Sequence, residues 1–389
     1  MASTTTSLMM LSLPQSAAPS GGDPQTQLDQ WLCEQLAVDR VNQFEIPNFK
    51  IGTLDNLVQQ SEELAKIDGQ FQGIVNKAAE ILASVFEDNK GQLAGAKRID
   101  DNKTPEQYFA SFTWNNSKYR VDKSIPELVD MISKEAFALD TDVRNSYNNY
   151  STAKSNLSAV DRKQTGNLSV RSLHDVLRRE HFVQDSEYLT TLLVAVPKQS
   201  KKDFLNQYET LTPMVVPRSA TVIAEDSEYT LFNVTLFTKY AAEFTSKVRE
   251  HKWTPREFKY SEEAIADLKK EQQVASQTER KLWSEVVRLA RTAYGDIIKA
   301  WAHLKAIRIF VESVLRYGLP PNFLTAVFQA PKNVEKAEQT LVAKFGYLGG
   351  NAFNKDKRGK LKGDADLSEY GALVDMEYKP FVLFHIDIN

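Results

Sequence analysis

Residues 127–165 read ELVDMISKEAFALDTDVRNSYNNYSTAKSNLSAVDRKQT and contain neither glycine nor proline. A second interval of the same kind, residues 256–294, reads REFKYSEEAIADLKKEQQVASQTERKLWSEVVRLARTAY. Each interval holds 39 residues. At 1.5 Å per residue, a helix of that length would extend about 58 Å. We therefore predict two unusually long helices, 126–165 and 255–294.

Both intervals begin with residues that favour the start of a helix. Ser124–Glu127 (SIPE) places a serine three residues before a glutamate, which is the spacing of a capping box. Ser261–Glu263 places a serine before two acidic residues, which favour the positive end of the helix dipole. The sequence therefore supplies a cap for each predicted helix.

The apolar faces of the two helices indicate how they pack. In the first helix, apolar residues recur at the narrow spacing of a coiled-coil seam: Ile132, Ala136, Leu139, Val143, Tyr147, Tyr150 and Leu157. The second helix has a similar seam, but Lys269–Lys281 (KKEQQVASQTERK) interrupts it and is polar on almost every side. Because a helix that is polar all round usually crosses solvent, we predict an antiparallel, coiled-coil-like two-helix stalk.

The residues between the long helices, 166–254, are predicted to form a separate α/β head. Their periodicity predicts three helices and three strands: helices Leu168–Arg179, Lys202–Leu211 and Thr238–Glu250, and strands Tyr188–Val196, Ala220–Ala224 and Tyr229–Phe237. An antiparallel stalk would leave this head at one of its ends.

The chain outside the stalk, residues 1–125 and 295–389, is predicted to form one α/β foot, because an antiparallel stalk brings its outer ends together. Its predicted elements are a strand at Leu8–Leu13, helices over Thr53–Phe86 interrupted near Gly69 and Gly73, an apolar helix at Ala300–Tyr317 and a central strand at Phe381–Ile388. The expected fold class is α+β and mainly helical, in the form of an elongated dumbbell.

Composition limits the environment and the partners. The 389 residues carry a formal net charge of -3, which gives no bulk attraction to nucleic acid or to an anionic membrane. Cys33 is the only cysteine, so no internal disulfide can form and a reducing compartment is favoured. No apolar run approaches the roughly 20 residues of a membrane span, and no Lys or Arg precedes Arg40 to begin a signal peptide. We expect a cytoplasmic protein that is monomeric when isolated and reaches a membrane only through other proteins.

The sequence lacks the short motifs that mark common active sites. It contains no GxxxxGK[ST] phosphate loop, no GxSxG nucleophile elbow, no HExxH zinc motif and no paired cysteine spacing. Asp364–Glu369 lacks the central glycine of a calcium loop and is interpreted as an acidic turn. No histidine has a second His or Cys at ligand spacing, so all five are interpreted as structural or solvent-exposed: His174, His181, His251, His303 and His385. We predict no catalytic residue, no cofactor and no metal.

Two basic clusters are candidate contacts for other proteins: Lys247–Lys259 (KVREHKWTPREFK) and Lys355–Lys362 (KDKRGKLK). The second is interpreted as a solubilising loop. The first contains or adjoins three aromatic residues, and aromatic rings among charges are typical of interface anchors. The alternative is that these rings pack the head onto the stalk. The candidate interface residues are Lys252, Trp253, Arg256, Phe258 and Tyr260.

Several longer strings are similar to one known family. They are IPNFKIGTL (46–54), DSEYLTTLLVAVPK (185–198), QYETLTPMVVPRS (207–219), NVTLF (233–237), WAHLKAIRIFVESVLRYGLPPNF (301–323) and the tail from Tyr378. On these strings the chain resembles, over nearly its whole length, the C subunit of the vacuolar (V-type) proton-translocating ATPase. FGYLGGNAFNKDK (345–357) resembles the fungal branch of that family. Residues before Leu8 follow no family pattern.

The resemblance implies a non-catalytic stator protein with a head, a neck and a foot. In this family the head binds a peripheral stalk made of the E and G subunits. The foot contacts another such stalk and the cytosolic N-terminal domain of the membrane-embedded a subunit. The protein is released when the ATP-hydrolysing sector detaches from the membrane sector, which implies a place on the cytosolic face of the vacuolar membrane or endomembrane. Some members bind actin, so actin is a further implied partner.

Two other functions are compatible with the residues alone. A cytoskeletal spacer protein would use the basic clusters as its principal contact and would not depend on an ATPase. An enzyme could use scattered carboxylates that the sequence does not pair, and it would show turnover when purified. The missing motifs count against the enzyme.

Overall fold

The computed structural model describes residues 6–18, 22–87, 89–173, 176–184, 186–258, 262–353 and 379–388. The chain divides into two compact units. The first unit contains Met1–Tyr147 and Glu285–Asn389, and the second contains Asn148–Ser284. Among the described residues, no helix is both long enough and apolar enough to cross a membrane.

Helix predominates over strand in the described residues, which confirms a mixed, mainly helical fold. The dumbbell shape, the coiled-coil packing and the foot, stalk and head boundaries stay predictions. The elements are, in chain order, β1 (Thr6–Pro14), α1 (Pro24–Leu36), β2 (Val41–Asn42), α2 (Leu54–Phe86), α3 (Lys90–Ala96), α4 (Pro105–Ala110), α5 (Ile125–Thr165), β3 (Leu189–Pro197), α6 (Lys201–Gln207), β4 (Thr221–Glu225), β5 (Tyr229–Phe237), α7 (Ala241–Glu250), β6 (Thr254–Arg256), α8 (Glu262–Tyr317), β7 (Phe323–Gln329), α9 (Val334–Phe345) and β8 (Val382–Ile388).

The first unit contains an antiparallel sheet with strand order β2-β7-β1-β8. Strand β1 pairs with β7 on one side and with β8 on the other. The N-terminal strand therefore meets the C-terminal part of the chain, as the sequence predicted. The prediction that Phe381–Ile388 is a central strand is wrong, because among the described strands β8 lies at the edge of the sheet and β1 is interior. Hydrophobic residues on both faces of β8 reflect packing on those faces, which an edge strand can also have.

Helices pack against both faces of this sheet. Met9, Leu11 and Leu13 of β1 share one face, where α1 and α9 supply the other side of the core. Ser12 points to the opposite face, and its hydroxyl oxygen lies 2.7 Å from the hydroxyl oxygen of Ser313 in α8. Because successive side chains of β1 point to opposite faces, α8 packs on the face of the sheet opposite α1 and α9.

Helix α2 is continuous, which corrects the predicted interruption near Gly69 and Gly73. Both glycines lie on the exposed side of the helix, and a β-carbon at either would meet nothing within 4 Å. A glycine in a helix costs about 1 kcal/mol relative to alanine. The buried stripe of α2, which includes Leu64, Phe71 and Leu82, offsets that cost.

The first long helix matches its prediction and the second is longer than predicted. Helix α5 begins one residue before the predicted start and ends at Thr165. The predicted helices 255–294 and Ala300–Tyr317 are one element, α8. Gly295 is buried where Ile99 packs, and a β-carbon there would lie 4.0 Å from Ile99 Cγ2. Packing on this face outweighs the low helix propensity of glycine. The predicted start at 255 is also wrong, since Thr254–Arg256 forms strand β6.

The second unit contains an antiparallel sheet with strand order β4-β5-β3-β6. One face packs against α6 and α7, with Phe204, Phe244 and Val248 at the centre of the core. Helix α6 is shorter than the predicted Lys202–Leu211, because a 3-10 turn begins at Tyr208.

The other face of this sheet is covered by the described residues of segment 167–184, which we call the strap; they form turns, bends and one 3-10 turn at Arg179–His181. Leu168, Leu173 and Leu177 of the strap contact Leu193, Ala195 and Leu231 of the sheet. The described residues of the predicted helix Leu168–Arg179 form turns instead. In a helix these backbone carbonyls would accept hydrogen bonds from the helix's own amides. Here the carbonyls of Ser169 and Arg171 accept hydrogen bonds from the Arg256 side chain of β6 instead. Tertiary bonding therefore overrides the amphipathic pattern.

Candidate protein-binding surfaces

Trp253 is a core residue of the second unit. Its side chain is 4% exposed and belongs to the cluster between the sheet and α6 and α7. The indole ring packs edge-on against Phe204, with ring centroids 5.0 Å apart, and stacks on His251 at 4.8 Å. A ring in this position contributes to stability and presents little surface to a partner.

Arg256 attaches the strap to strand β6. Its guanidinium donates to the carbonyls of Ser169 and Arg171, both at 2.5 Å. Burial lowers the pKa of Arg256, and among the described residues it has no carboxylate within ion-pair distance. The guanidinium is therefore held by backbone dipoles and acts as a structural bridge within the unit.

The remaining predicted interface residues differ in how far they are buried. Phe258 is half-buried and stacks on Phe182 of the strap, with centroids 5.6 Å apart. Lys252 is exposed and has a left-handed backbone with φ 61°. Tyr260 lies outside the described residues. Partner binding by these five residues stays a prediction; among those the structure describes, Lys252 is the exposed one.

An apolar row at one end of the second-unit sheet escaped the sequence analysis. Leu189 of β3 lies opposite Phe237 of β5, and the Phe237 amide donates to the Met214 carbonyl at 3.2 Å. Residues opposite each other on neighbouring strands share a face. Leu189 and Phe237 therefore share a face, and Met214, which lies in a turn, adjoins Phe237 through its backbone; we call these three residues the terminal row. Met214 is 60% exposed and Phe237 is 38% exposed.

The terminal row lies beyond the contacts of the strap. The Val183 amide donates to Thr191 Oγ1 at 3.0 Å, and Asn233 Nδ2 donates to the His181 carbonyl at 2.9 Å. These bonds lie over two other cross-strand pairs on the same face, Thr191 with Thr235 and Leu193 with Asn233. The period-two pattern of β3 and β5 could have assigned both residues to the strap face. It could not have indicated where the strap stops.

A buried charge cluster joins α2 to α8 in the first unit. The Asp68 carboxylate accepts hydrogen bonds from Trp301 Nε1 at 2.7 Å and from Lys305 Nζ at 2.9 Å, and it also pairs with Arg308. Lys305 and Arg308 both lie over the ring of Phe384 from β8. The cluster therefore connects two helices and an edge strand.

The charges in this cluster are mutually stabilised. Burial alone would raise the pKa of Asp68, but the charges of Lys305 and Arg308, with the hydrogen bonds from Lys305 and Trp301, hold it below its ordinary value. Burial lowers the pKa of Lys305, and the Asp68 carboxylate opposes that shift. Asp68 is ionised at neutral pH and serves the packing of the unit.

His303 lines a polar cavity of about 340 Å³ in the first unit. The Asn115 amide donates to Nε2 at 3.1 Å, and Nδ1 lies 2.7 Å from the Lys299 carbonyl, so the proton of the neutral ring resides on Nδ1. Burial lowers the pKa of His303 to about 4. A general base needs a free lone pair within reach of a substrate, and both ring nitrogens of His303 are already bonded.

Two of the three lysines that line this cavity are paired with acids. Lys299 pairs with Asp296 at 2.7 Å and with Asp100 at 3.2 Å. Lys118 pairs with Glu135. The cavity therefore has no strong excess of positive charge with which to attract an anion. In the part of the chain that the structure describes, no group of three or more His, Cys, Asp and Glu side chains is arranged to hold a metal ion.

Comparison with known proteins identifies the family. The family model that describes the C subunit of the V-ATPase matches residues 8–382. The C subunit of the V-type proton ATPase of Saccharomyces cerevisiae is 50% identical over 390 residues, which cover 99% of this chain and 98% of the relative. The chain belongs to the V-ATPase C-subunit family.

More distant relatives agree with this assignment. The C 1 subunit of the V-type proton ATPase of Rattus norvegicus is 39% identical over 350 residues, and the C 1-A subunit of Danio rerio is 38% identical over 349. Each alignment covers 90% of this chain and 90% of the relative. A solved cytoplasmic N-terminal domain of the V-ATPase I subunit, which is a homolog of the a subunit, reaches a TM-score of only 0.32 at 14% identity over 88% of this chain and 97% of that chain. That likeness is too weak to support an argument.

The structure describes only some of the other residues that the sequence of this V-ATPase C-subunit family member singled out. Lys247 of the first basic cluster pairs with Glu250 at 3.0 Å, so part of its charge is used within α7. The second basic cluster, Lys355–Lys362, the acidic turn Asp364–Glu369 and His174 lie outside the described residues. His181 and His385, which are described, are bonded to neighbouring groups.

Proposed function

We propose that this chain is a non-catalytic stator protein of the vacuolar proton-translocating ATPase. It joins peripheral stalks of E and G subunits to the cytosolic N-terminal domain of the membrane-embedded a subunit, and takes part in assembly and reversible disassembly of the two sectors. The observation that carries this proposal is the match to the V-ATPase C-subunit family over nearly the whole chain.

The organisation of the molecule supports a bridging role. Each compact unit has its own antiparallel sheet and its own hydrophobic core. Separate bodies allow one chain to hold separate partners, and each contact then raises the effective concentration of the next partner. Modest individual interfaces suit a protein that is released, because breaking one weakens the others.

The state of the buried polar groups supports a non-catalytic role. Asp68 and His303 are the kinds of residue that an enzyme would use, yet their polar atoms are bonded to neighbouring side chains and backbone. Catalytic groups usually face a cleft with a proton or lone pair available. In the described residues, these two groups are engaged in holding helices in place.

We expect the full-length chain to bind a purified heterodimer of the E and G subunits from Saccharomyces cerevisiae. Binding would be measured by isothermal titration calorimetry, with the intact chain in the sample cell of the calorimeter. A 1:1 complex and no ATP hydrolysis by the isolated chain are the predicted results, since the proposed role needs contact and no turnover. A folded chain that binds neither the heterodimer nor the N-terminal domain of the a subunit would contradict the proposal.

A further inference from the structure

The polar cavity beside His303 has no role in the proposed function. It lies between residues 100–119 and helix α8, and its volume of about 340 Å³ falls within the range of small-molecule sites, about 300–1,000 Å³. All ten residues that line it have polar or charged side chains. An apolar ligand would leave these groups without partners, so the lining favours a ligand that is itself polar over most of its surface.

Contacts within the protein hold the inner wall of the cavity in place. His303 and Tyr119 are 3% and 2% exposed, and their ring centroids lie 4.9 Å apart. Both ring nitrogens of His303 are hydrogen-bonded, and the Tyr119 hydroxyl donates to the Glu135 carboxylate at 2.8 Å. A ligand therefore meets a wall that needs no reordering on binding.

Three polar groups of the lining residues have no hydrogen-bond partner among the described residues. They are the hydroxyls of Tyr108 and Thr113 and the side-chain amide nitrogen of Asn115, whose side-chain oxygen accepts from the Lys118 amide at 3.1 Å. Burial raises the pKa of Tyr108 to about 12, so its hydroxyl keeps its proton at neutral pH. Water molecules would satisfy these groups one at a time, whereas a ligand with several hydroxyls satisfies them together.

The charge of the cavity favours a neutral ligand. Lys299 pairs with Asp296 and Asp100, and Lys118 pairs with Glu135. An anion would have to compete with these carboxylates, and a cation would meet the three lysines of the lining. A hydroxyl group both donates and accepts, so it pairs equally well with an ammonium group, a carboxylate or an amide.

We infer that this cavity is a binding site for a small, uncharged ligand with several hydroxyl groups, such as a polyol or a cyclitol. The ligand is bound and released unchanged, because the His303 ring has no free lone pair with which to act as a base. Bound there, it joins residues 100–119 to helix α8 and stabilises the first unit. The inference does not rest on the proposed function, since the cavity lies wholly within the first unit.

The test measures binding of myo-inositol and of sorbitol to the full-length chain by saturation-transfer difference NMR. The variant is Tyr108→Phe with Thr113→Val, which removes two hydroxyls and keeps the shape of both side chains. Tyr347→Phe is the matched control, because Tyr347 is 60% exposed and does not line the cavity. Circular dichroism would show that all three chains are folded, and inorganic phosphate would be added as a competitor.

The unchanged chain and the control should bind at least one of the two polyols with equal affinity. The double variant should bind it about tenfold more weakly, as expected for the loss of two hydrogen bonds. No saturation transfer from the folded, unchanged chain to either polyol would overturn the inference, since water alone would then occupy the cavity. Equal binding by the double variant would place the polyol elsewhere and also overturn it. Displacement of the polyol by inorganic phosphate would assign the cavity to anions and overturn the neutral class of ligand.

Discussion

Replacing Asp68 with Asn should lower the free energy of unfolding by about 3–5 kcal/mol, because it leaves the buried Lys305 and the partly buried Arg308 without their counter-ion. Lys305 is buried with only 2% of its side chain exposed, and it donates to Asp68 at 2.9 Å. Asparagine keeps the shape of the side chain but removes the charge. Urea denaturation of the full-length chain, followed by tryptophan fluorescence, would measure the change.

Glu62→Gln is the matched control for the Asp68 variant. Glu62 is an exposed carboxylate on the same helix, so the same loss of charge should change stability by no more than about 0.5 kcal/mol. Adding Lys305→Met to Asp68→Asn should recover part of the loss, since an apolar side chain needs no counter-ion. If Asp68→Asn and Glu62→Gln were equally stable, the cluster would not support the unit.

The Asp68 cluster also predicts a dependence on pH. The folded pKa of Asp68 lies below its ordinary value, so its contribution to stability is present above about pH 3.9 and is lost as the pH falls through the folded pKa. The asparagine of the variant cannot titrate. The difference in stability between the unchanged chain and Asp68→Asn should therefore shrink as the solution is made strongly acidic.

Replacing Trp253 with Ala should lower the free energy of unfolding of the second unit by about 3–5 kcal/mol, which is the usual cost of removing a large buried aromatic side chain. The cavity would open beside Phe204 and beneath the sheet. The measurement is thermal unfolding followed by near-ultraviolet circular dichroism, which reports the packing of aromatic rings.

Lys252→Ala is the control for the Trp253 variant. It removes an exposed amine from the adjacent position and should change stability by no more than about 0.5 kcal/mol. Suppose instead that Trp253→Ala melted like the unchanged chain but bound the E–G heterodimer more weakly. Trp253 would then be an interface anchor, as the sequence suggested, and its assignment to the core would be wrong.

The sequence predicted the elements with strong periodicity and long uninterrupted intervals. Helix α5 and strand β3 were located within one residue, and both bounds of strand β5 were predicted correctly, because caps, apolar spacing and the absence of Gly and Pro are local signals. Helix α8 was divided in two because Gly295 normally disfavours a helix. The burial of the helix around this position, where Ile99 packs, offsets that preference.

The strap illustrates a second limit of sequence analysis. Its leucines have a helical pattern, yet the segment lies across a sheet, and Arg256 from a strand more than 80 residues away holds two of its carbonyls. A local pattern contains no information about such a donor. The internal contacts of Arg256 and Trp253 also depend on residues far away in the sequence, and partner binding by either residue stays a prediction.

The candidate surface was harder to predict than the fold. Phe237 looks like an ordinary strand residue in the sequence and Met214 was assigned to no element; the exposure of Phe237 depends on where the strap ends. Coverage of a face is a property of the tertiary structure. The family, in contrast, was identifiable from strings that span nearly the whole chain, and the relatives confirm it.

The most direct test of the central claim is functional replacement in Saccharomyces cerevisiae. This chain would be expressed in a strain that lacks its own C subunit, and ATP-driven proton uptake would be measured in isolated vacuolar vesicles. A stator protein should restore proton uptake and co-purify with both sectors of the ATPase. If the chain were folded and expressed at the level of the native protein, yet restored neither proton uptake nor association of the sectors, the proposed role would be contradicted.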